Sequence, residues 1–298
     1  MFMLMGDYQA KMAILHNVGT TLEMIKWEHS VFALPFALIG AMLAAHGIPT
    51  AWQLSWIVVA MVAARSAAMA FNRLADADYD AENPRTRMRA LPAGLLTRQF
   101  VAGFVVVSCG VFIFAAAQLN RLCLVLAPVA LAVLLLYSYT KRFTRWSHLV
   151  LGFADAIPPA GAWIAVRGTL DWRILLLVAA QTFWVGGFDV LYACQDYEYD
   201  CQAGLYSIPR FIGIKRGLIV GRLFHVVTVI TLAATVIAFG LGGIAWAGVL
   251  LFSGLLVYEH SLLAHGDLSR MNAAFFTTNG VISVLLFVFM ASDILIRR

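Results

Sequence analysis

Charge is scarce in this chain. Asp, Glu, Lys and Arg make up 12% of its 298 residues, about half the share usual in a soluble domain. Cysteine is scarce as well: four residues, at positions 109, 123, 194 and 201, exclude a disulfide-dense secreted scaffold. Two of them fall within apolar runs. The spacing of Cys194 and Cys201 matches no zinc pattern, so all four read as structural or incidental. The apolar content leaves no room for an intrinsically disordered chain. Hydrophobic residues reach 62% and mean hydropathy is +0.83. A soluble fold of this size has too little interior to hide that much apolar surface, which leaves a polytopic helical membrane protein.

A run of about 20 apolar residues crosses a bilayer as a helix. Nine such runs are read, over 28–46, 52–71, 99–118, 122–139, 148–166, 173–193, 217–239, 242–262 and 273–294. The connections alternate: those near 47, 120, 169 and 240 are short and poor in charge, whereas 72–98, 140–147, 194–216 and 263–272 hold most polar residues. Fifteen of the 21 Lys and Arg residues fall on the N-terminal side, five on the other, and Arg65 lies deep in a span. That bias predicts a cytoplasmic N-terminus and an outer C-terminus in a plasma membrane. It also accounts for the pI near 9.2 without nucleic-acid binding. Residues 1–25 carry Asp7, Lys11 and Glu23 and lack the apolar core of a secretory signal; an amphipathic interfacial helix is expected there. One integral-membrane domain over 1–298 is expected, with no obligate protein partner.

The acids are not scattered. Asp76, Asp78, Asp80 and Glu82 form one cluster, and Asp189, Asp196, Glu198 and Asp200 a second, each at the cytoplasmic end of a span. Asn72, Asp76 and Asp80 follow i, i+4, i+8, so a helix puts them on one face, and Asp196 and Asp200 repeat the i, i+4 step. Like charges on one face are destabilising unless cations neutralise them. Carboxylate and amide oxygens suit Mg²⁺, which commonly binds through one or two carboxylates plus substrate phosphates. Two facing clusters can therefore hold a metal-bridged diphosphate; one cluster alone would read equally well as a solvated acidic loop. Asp76 precedes Asp196, and Asp80 precedes Asp200, by the same 120 positions. That offset predicts two tandem four-helix units followed by a ninth helix.

Basic residues lie near both clusters. Arg85, Arg87 and Arg89 follow the first, and Tyr137 and Lys141 stand one helical turn apart, with Arg142 next. Lys141 and one of the three arginines are expected to bind phosphate oxygens, whereas Arg98, Arg145 and Arg216 read as topology signals. Arg65 sits on nearly the same face as Asn72, two turns deeper, and an intramembrane charge is by default a functional candidate. It is expected to pair with Asp189, either as a structural bridge or to orient a substrate carboxylate. His29 and His225 read as structural. Most aromatics read as lipid-facing or interfacial, and some can line a cavity and stabilise a carbocation.

These residues resemble the UbiA superfamily of intramembrane prenyltransferases. The resemblance rests on Asn72-x-x-x-Asp76-x-x-x-Asp80 with Arg85-Thr86-Arg87-Met88-Arg89, on Asp189-x-x-Tyr192-Ala193-x-Gln195-Asp196-x-x-x-Asp200, and on Tyr137-x-x-x-Lys141-Arg142. Ala90 stands where many relatives carry proline. Phe32-Ala33-Leu34-Pro35-Phe36 and Asn272-Ala273-Ala274-Phe275-Phe276 are similar to the 4-hydroxybenzoate polyprenyltransferase branch. The resemblance implies an all-α bundle of nine transmembrane helices around a central cavity, with a lateral opening for an isoprenoid tail. It implies Mg²⁺ held by Asn72, Asp76, Asp80, Asp196 and Asp200, and a diphosphate held by Lys141, Arg142, Arg85, Arg87, Arg89, Gln195 and Tyr137. The aromatic acid would lie near Arg65, Asp189 and Tyr192, with Asp189 a candidate base. The donor would be a polyprenyl diphosphate and the acceptor 4-hydroxybenzoate, for ubiquinone-type quinone synthesis, or a dihydroxynaphthoate, for menaquinone. A secondary transporter is the rival of another class. It would place its charges near the midplane and break its spans at matching Gly or Pro positions, whereas both acid clusters here lie at one face. A CDP-alcohol transferase would need an Asp-Gly step and an Ala-Arg within one motif, and the chain has no Asp-Gly step.

Overall fold

A computed structural model describes residues 18–25, 30–262 and 271–297, with side chains placed through most of these. Within them the chain is all helical, without strands. In chain order the helices are α1 (Ser30–Ala45), α2 (Ala51–Ala75), α3 (Ala77–Glu82), α4 (Arg98–Leu119), α5 (Arg121–Thr140), α6 (Ser147–Asp155), α7 (Ile157–Arg167), α8 (Ile174–Ala193), α9 (Tyr197–Gln202), α10 (Ile208–Ile212), α11 (Ile214–Ala238), α12 (Gly243–Leu262) and α13 (Met271–Ile296). Among the described residues, helix occupies each of the nine expected stretches, the fifth as two helices. Eight segments, counting α6 and α7 as one, are long and apolar enough to cross a membrane, and α1 is a shorter apolar helix. Residues 18–24 are helical; the rest of the expected interfacial helix, and His29, lie outside the described residues.

Local chemistry sets the helix ends. Thr50 and Gln53 form a reciprocal capping box at the start of α2, which satisfies two backbone donors that a helix leaves open. Thr97 caps α4 and Asn120 caps α5 through side-chain oxygens. Gly168, at φ +70°, closes α7 in the left-handed conformation that glycine adopts without penalty.

The fifth span departs from expectation. It was read as continuous over 148–166, but it breaks at Ala156, ahead of Pro158 and Pro159. Proline has no N–H to give to the carbonyl four residues back, so Pro159 leaves the Asp155 carbonyl open. Gln181, fully buried on α8, donates to that carbonyl at 2.7 Å. The break also presses α1 onto α7, where a Cβ at Gly40 would lie 2.4 Å from the Pro159 carbonyl oxygen.

The interior is a slab of apolar side chains from α1, α8, α11, α12 and α13, with Phe36, Trp184, Phe252, Leu232 and Leu286 almost completely buried. Phe36 stacks on Trp184 with centroids 5.4 Å apart. Large apolar residues such as Val106, Leu250 and Val257 are exposed on the outside, as expected of a surface solvated by lipid tails. The two expected units pack alike: α2 lies mainly against α4 and α8 mainly against α11, with α1 resting on α7 and α13.

Candidate functional site: two acid clusters crossed by basic residues

The helices α2 and α8 each turn sharply at an aspartate and continue as a short helix. Asp76 (φ −100°, ψ 7°) joins α2 to α3, and Asp196 (φ −92°, ψ 7°) joins α8 to α9. In both, the amide four residues on returns to the junction carbonyl at 2.7 Å, from Asp80 to Asp76 and from Asp200 to Asp196. The i, i+4 register therefore survives the turn, and it does so identically in the two halves. It also sorts the acids: Asp80, Asp196 and Asp200 are buried and Asp76 is half-buried, while Asp78, Glu82 and Glu198 face out.

Each inward carboxylate meets a cation. Arg85 crosses from the first cluster to the second and makes a two-pronged contact with Asp196, Nε to Oδ1 at 2.8 Å and Nη2 to Oδ2 at 2.6 Å. Arg89 donates to both oxygens of Asp80 at 2.7 and 2.8 Å, with Arg73 behind it at 3.8 Å. Lys141 Nζ lies 2.8 Å from Asp200, and Arg142 lies 3.4 Å from Asp76 while also donating to the Ala75 carbonyl. Asn72 donates to Asp76 at 2.9 Å. The halves are further joined by Tyr199, whose hydroxyl donates to the Tyr79 carbonyl at 2.7 Å. Arg85 lies over the Tyr192 ring at 5.3 Å, and Arg142 over Tyr139 at 4.7 Å.

The electrostatics follow from burial. Burial raises the Asp76 carboxyl above its ordinary range, and repulsion from Asp80 adds to it. Burial likewise raises Asp200, with Lys141 opposing. At Asp196 burial also acts upward, but the hydrogen bond and charge of Arg85 outweigh it and hold the carboxyl below the usual range. Among the described residues no three acid, histidine or cysteine side chains stand together as a cation site; the carboxylates offer the oxygen donors a hard divalent cation takes, and the guanidinium and ammonium groups that hold them favour a polyphosphate.

Several expectations need correction. Arg65 does not pair with Asp189; its Nη1 reaches Asp155 at 3.0 Å. The Pro158–Pro159 break ends α6 at Asp155 and directs that side chain to α2, which no continuous helix reading could foresee. Asp189 pairs instead with His148 at 2.7 Å. Arg87 is exposed and, unlike Arg85 and Arg89, makes no ion pair among the described residues, because it points away on the turn between them. Tyr137 is half-buried, within electrostatic reach of Arg73, Arg65 and Asp76. Gln195 is half-buried at the α8–α9 junction. His225 is buried and contacts His260 at 2.9 Å and the Trp184 carbonyl at 3.3 Å, a structural role as expected. All four cysteines are free.

Sequence reasoning passed over Arg73, Asp155, His148 and Gln181. A signal for two of them existed. Asp155 is an intramembrane acid beside a Pro-Pro step, and Gln181 an amide in the middle of an apolar span; each is costly in a membrane unless partnered. His148 gave no such sign at a span's edge.

A helical membrane bundle with two like-built acid junctions at the ends of α2 and α8, crossed by basic residues, defines a class of intramembrane enzyme rather than a channel or soluble domain. Residues 33–281 match the UbiA prenyltransferase family. The chain is 30% identical over 237 residues, 78% of each sequence, to a 4-hydroxybenzoate octaprenyltransferase from Chromohalobacter salexigens. It is similar in structure to an apo UbiA homolog from Aeropyrum pernix K1, with a TM-score of 0.82 and 32% identity over 90% of this chain and 98% of that one. A UbiA homolog from Archaeoglobus fulgidus, bound to DMAPP and Mg²⁺, shares the fold, with a TM-score of 0.68 and 19% identity over 92% of this chain and 99% of the other. The chain belongs to the UbiA prenyltransferase family.

Proposed function

We propose that this chain is a single-domain aromatic prenyltransferase that moves a polyprenyl group from its diphosphate to 4-hydroxybenzoate, with Mg²⁺ as cofactor. The reading rests on one observation: Asp76, Asp80, Asp196 and Asp200 converge with Arg85, Arg89, Lys141 and Arg142. The curated relative named for 4-hydroxybenzoate octaprenyl transfer, and the homolog bound to DMAPP and Mg²⁺, support the substrate class and the metal. The acid clusters would face the cytoplasm of a plasma-membrane protein, with the N-terminus inside and the C-terminus outside.

In donor type the set fits a hard divalent cation, because its carboxylates and the Asn72 amide supply oxygen alone; each inward carboxylate is held by a guanidinium or ammonium group that the cation would displace. Bound by Asn72, Asp76, Asp80, Asp196 and Asp200, Mg²⁺ would supply charge neutralisation to the departing diphosphate. Lys141, Arg142, Arg85 and Arg89 hold phosphate oxygens by charge-assisted hydrogen bonds, with Tyr137 and Gln195 beside them. Arg65 is the receptor for the acid's carboxylate: its buried Nε has no partner among the described residues while Nη1 is held by Asp155, so a donor remains to be satisfied. As the allylic C–O bond breaks, its electron pair leaves with the diphosphate. The ring carbon ortho to the phenol hydroxyl then forms the new C–C bond. Tyr192 and neighbouring aromatic faces shelter the allylic cation from water. Asp189 takes the ring proton.

The test offers purified protein, Mg²⁺ and geranyl diphosphate to a panel of aromatic acids, with mass spectrometry of the products. Prenylated 4-hydroxybenzoate is expected. Product from another acid only would overturn the acceptor, and no product from any acid would overturn the activity.

A further inference from the structure

Buried at 2% exposure at the start of α6, His148 pairs with none of Asp76, Asp80, Asp196 and Asp200 among the described residues. Both of its ring nitrogens are nevertheless engaged. The Ile208 amide, which can only donate, lies 3.1 Å from Nε2. Nε2 must therefore be an unprotonated acceptor, which puts the ring's proton on Nδ1. Nδ1 lies 2.7 Å from Asp189 Oδ2, so the imidazole is neutral and donates to the carboxylate. The Asp189 side chain keeps 31% exposure, enough for one oxygen to face a substrate.

We propose that His148 is a positioning residue of the transfer reaction: pinned as its Nδ1–H tautomer by the Ile208 amide, it orients Asp189 to take the ring proton. The role rests on the prenylation reading above. The proton passes from the ring carbon to the free oxygen of Asp189, and the C–H electron pair returns to the ring and restores aromaticity. Asp189 later releases the proton to water. His148 neither gains nor loses one; its part is to fix one carboxylate oxygen so that the other has a single direction.

The same segment ties this arrangement to the diphosphate end. The Tyr206 amide donates to the Lys141 carbonyl at 2.7 Å, and the Ser147 hydroxyl donates to the Tyr206 carbonyl at 3.4 Å. The Leu205 amide donates to the Asp200 backbone carbonyl at 3.0 Å. The amide that sets the His148 tautomer thus belongs to the strap that also holds the backbone of Lys141 and Asp200.

Two isosteric substitutions separate this role from packing. His148→Asn keeps a donor near Nδ1 and loses the acceptor for Ile208, while His148→Gln keeps an acceptor near Nε2 and loses the donor to Asp189. With 4-hydroxybenzoate, kcat is expected to stay near the wild-type value in His148→Asn. It should fall about tenfold to a hundredfold in His148→Gln and His148→Ala, with the acceptor KM little changed, because a misaimed group loses rate rather than affinity. In the slow variants, 4-hydroxybenzoate deuterated ortho to the hydroxyl should show a primary isotope effect larger than in wild type. If His148 only packs the strap, His148→Gln stays active and His148→Asn fails, without an isotope effect, and the proposal is overturned. Nitrogen-15 NMR of the wild-type protein should show a neutral Nδ1–H imidazole; an Nε2–H tautomer or an imidazolium would overturn it independently of turnover. A wild-type protein that prenylates no aromatic acid would overturn the prenylation reading itself, and this role with it.

Discussion

Arg85→Gln should move metal and diphosphate binding in opposite directions. Arg85 grips Asp196 with two hydrogen bonds, and Asp196 is 8% exposed. A cation that takes Asp196 as a ligand must first displace that guanidinium. Breaking a buried pair costs about 3–5 kcal/mol when one charge is left stranded. Here neither is stranded, since the metal takes the carboxylate and Arg85, whose side chain is 32% exposed, returns to water or to phosphate. Screening at that exposure trims the coupling to about 1.5 kcal/mol. Removing the competitor should therefore tighten Mg²⁺ binding about tenfold in the absence of diphosphate. With Mg²⁺ saturating, a charge-assisted bond to phosphate is lost, worth about 1.5–3 kcal/mol, so inorganic pyrophosphate should bind about tenfold to a hundredfold more weakly. Calorimetric titration of detergent-purified wild type and variant, first with Mg²⁺ alone and then with pyrophosphate at saturating Mg²⁺, measures both. Weaker Mg²⁺ binding in the variant would refute the competition, because it would make Arg85 a support for the metal ligands rather than their occupant.

Asp76→Ala and Asp196→Ala should each abolish turnover while circular dichroism in detergent stays helical; near-normal activity in either at saturating Mg²⁺ refutes the two-cluster mechanism. Arg65→Gln should raise KM for the aromatic acid well above its effect on KM for the diphosphate, since Arg65 pairs with Asp155 and not with the phosphate-binding residues; equal effects on both would refute it as the carboxylate receptor. Gly152→Ala puts a Cβ 2.2 Å from the Thr182 backbone oxygen and should cost about 1–3 kcal/mol through forced separation of α6 and α8, read as a lower midpoint of thermal unfolding; an unchanged midpoint refutes that close approach.

Much of the site could be read in the chain because its register is local. Asn72, Asp76 and Asp80 depend only on helical spacing, and the turn at Asp76 preserves the i, i+4 step through the amide of Asp80. The shared offset of 120 foretold that Asp196 and Asp200 would be built alike, and the two junctions have nearly the same backbone angles. The partners of Arg65 and Asp189 were misread because face periodicity tells which way a side chain points but not which helix it meets. Asp155 had the right charge, and it was passed over because a break in its span was not anticipated.

By itself the sequence determined that this is a multi-pass helical membrane protein and that its scarce acids gather in two like-spaced groups. Both follow from composition and from the 3.6-residue period, which need no knowledge of distant neighbours. Only the tertiary structure decided that Arg85 reaches Asp196, that Arg65 meets Asp155 and that His148 meets Asp189. Those pairings join residues 111, 90 and 41 positions apart. They depend on how α2, α6 and α8 pack, and that packing turns on two prolines and the one glutamine amide that answers them.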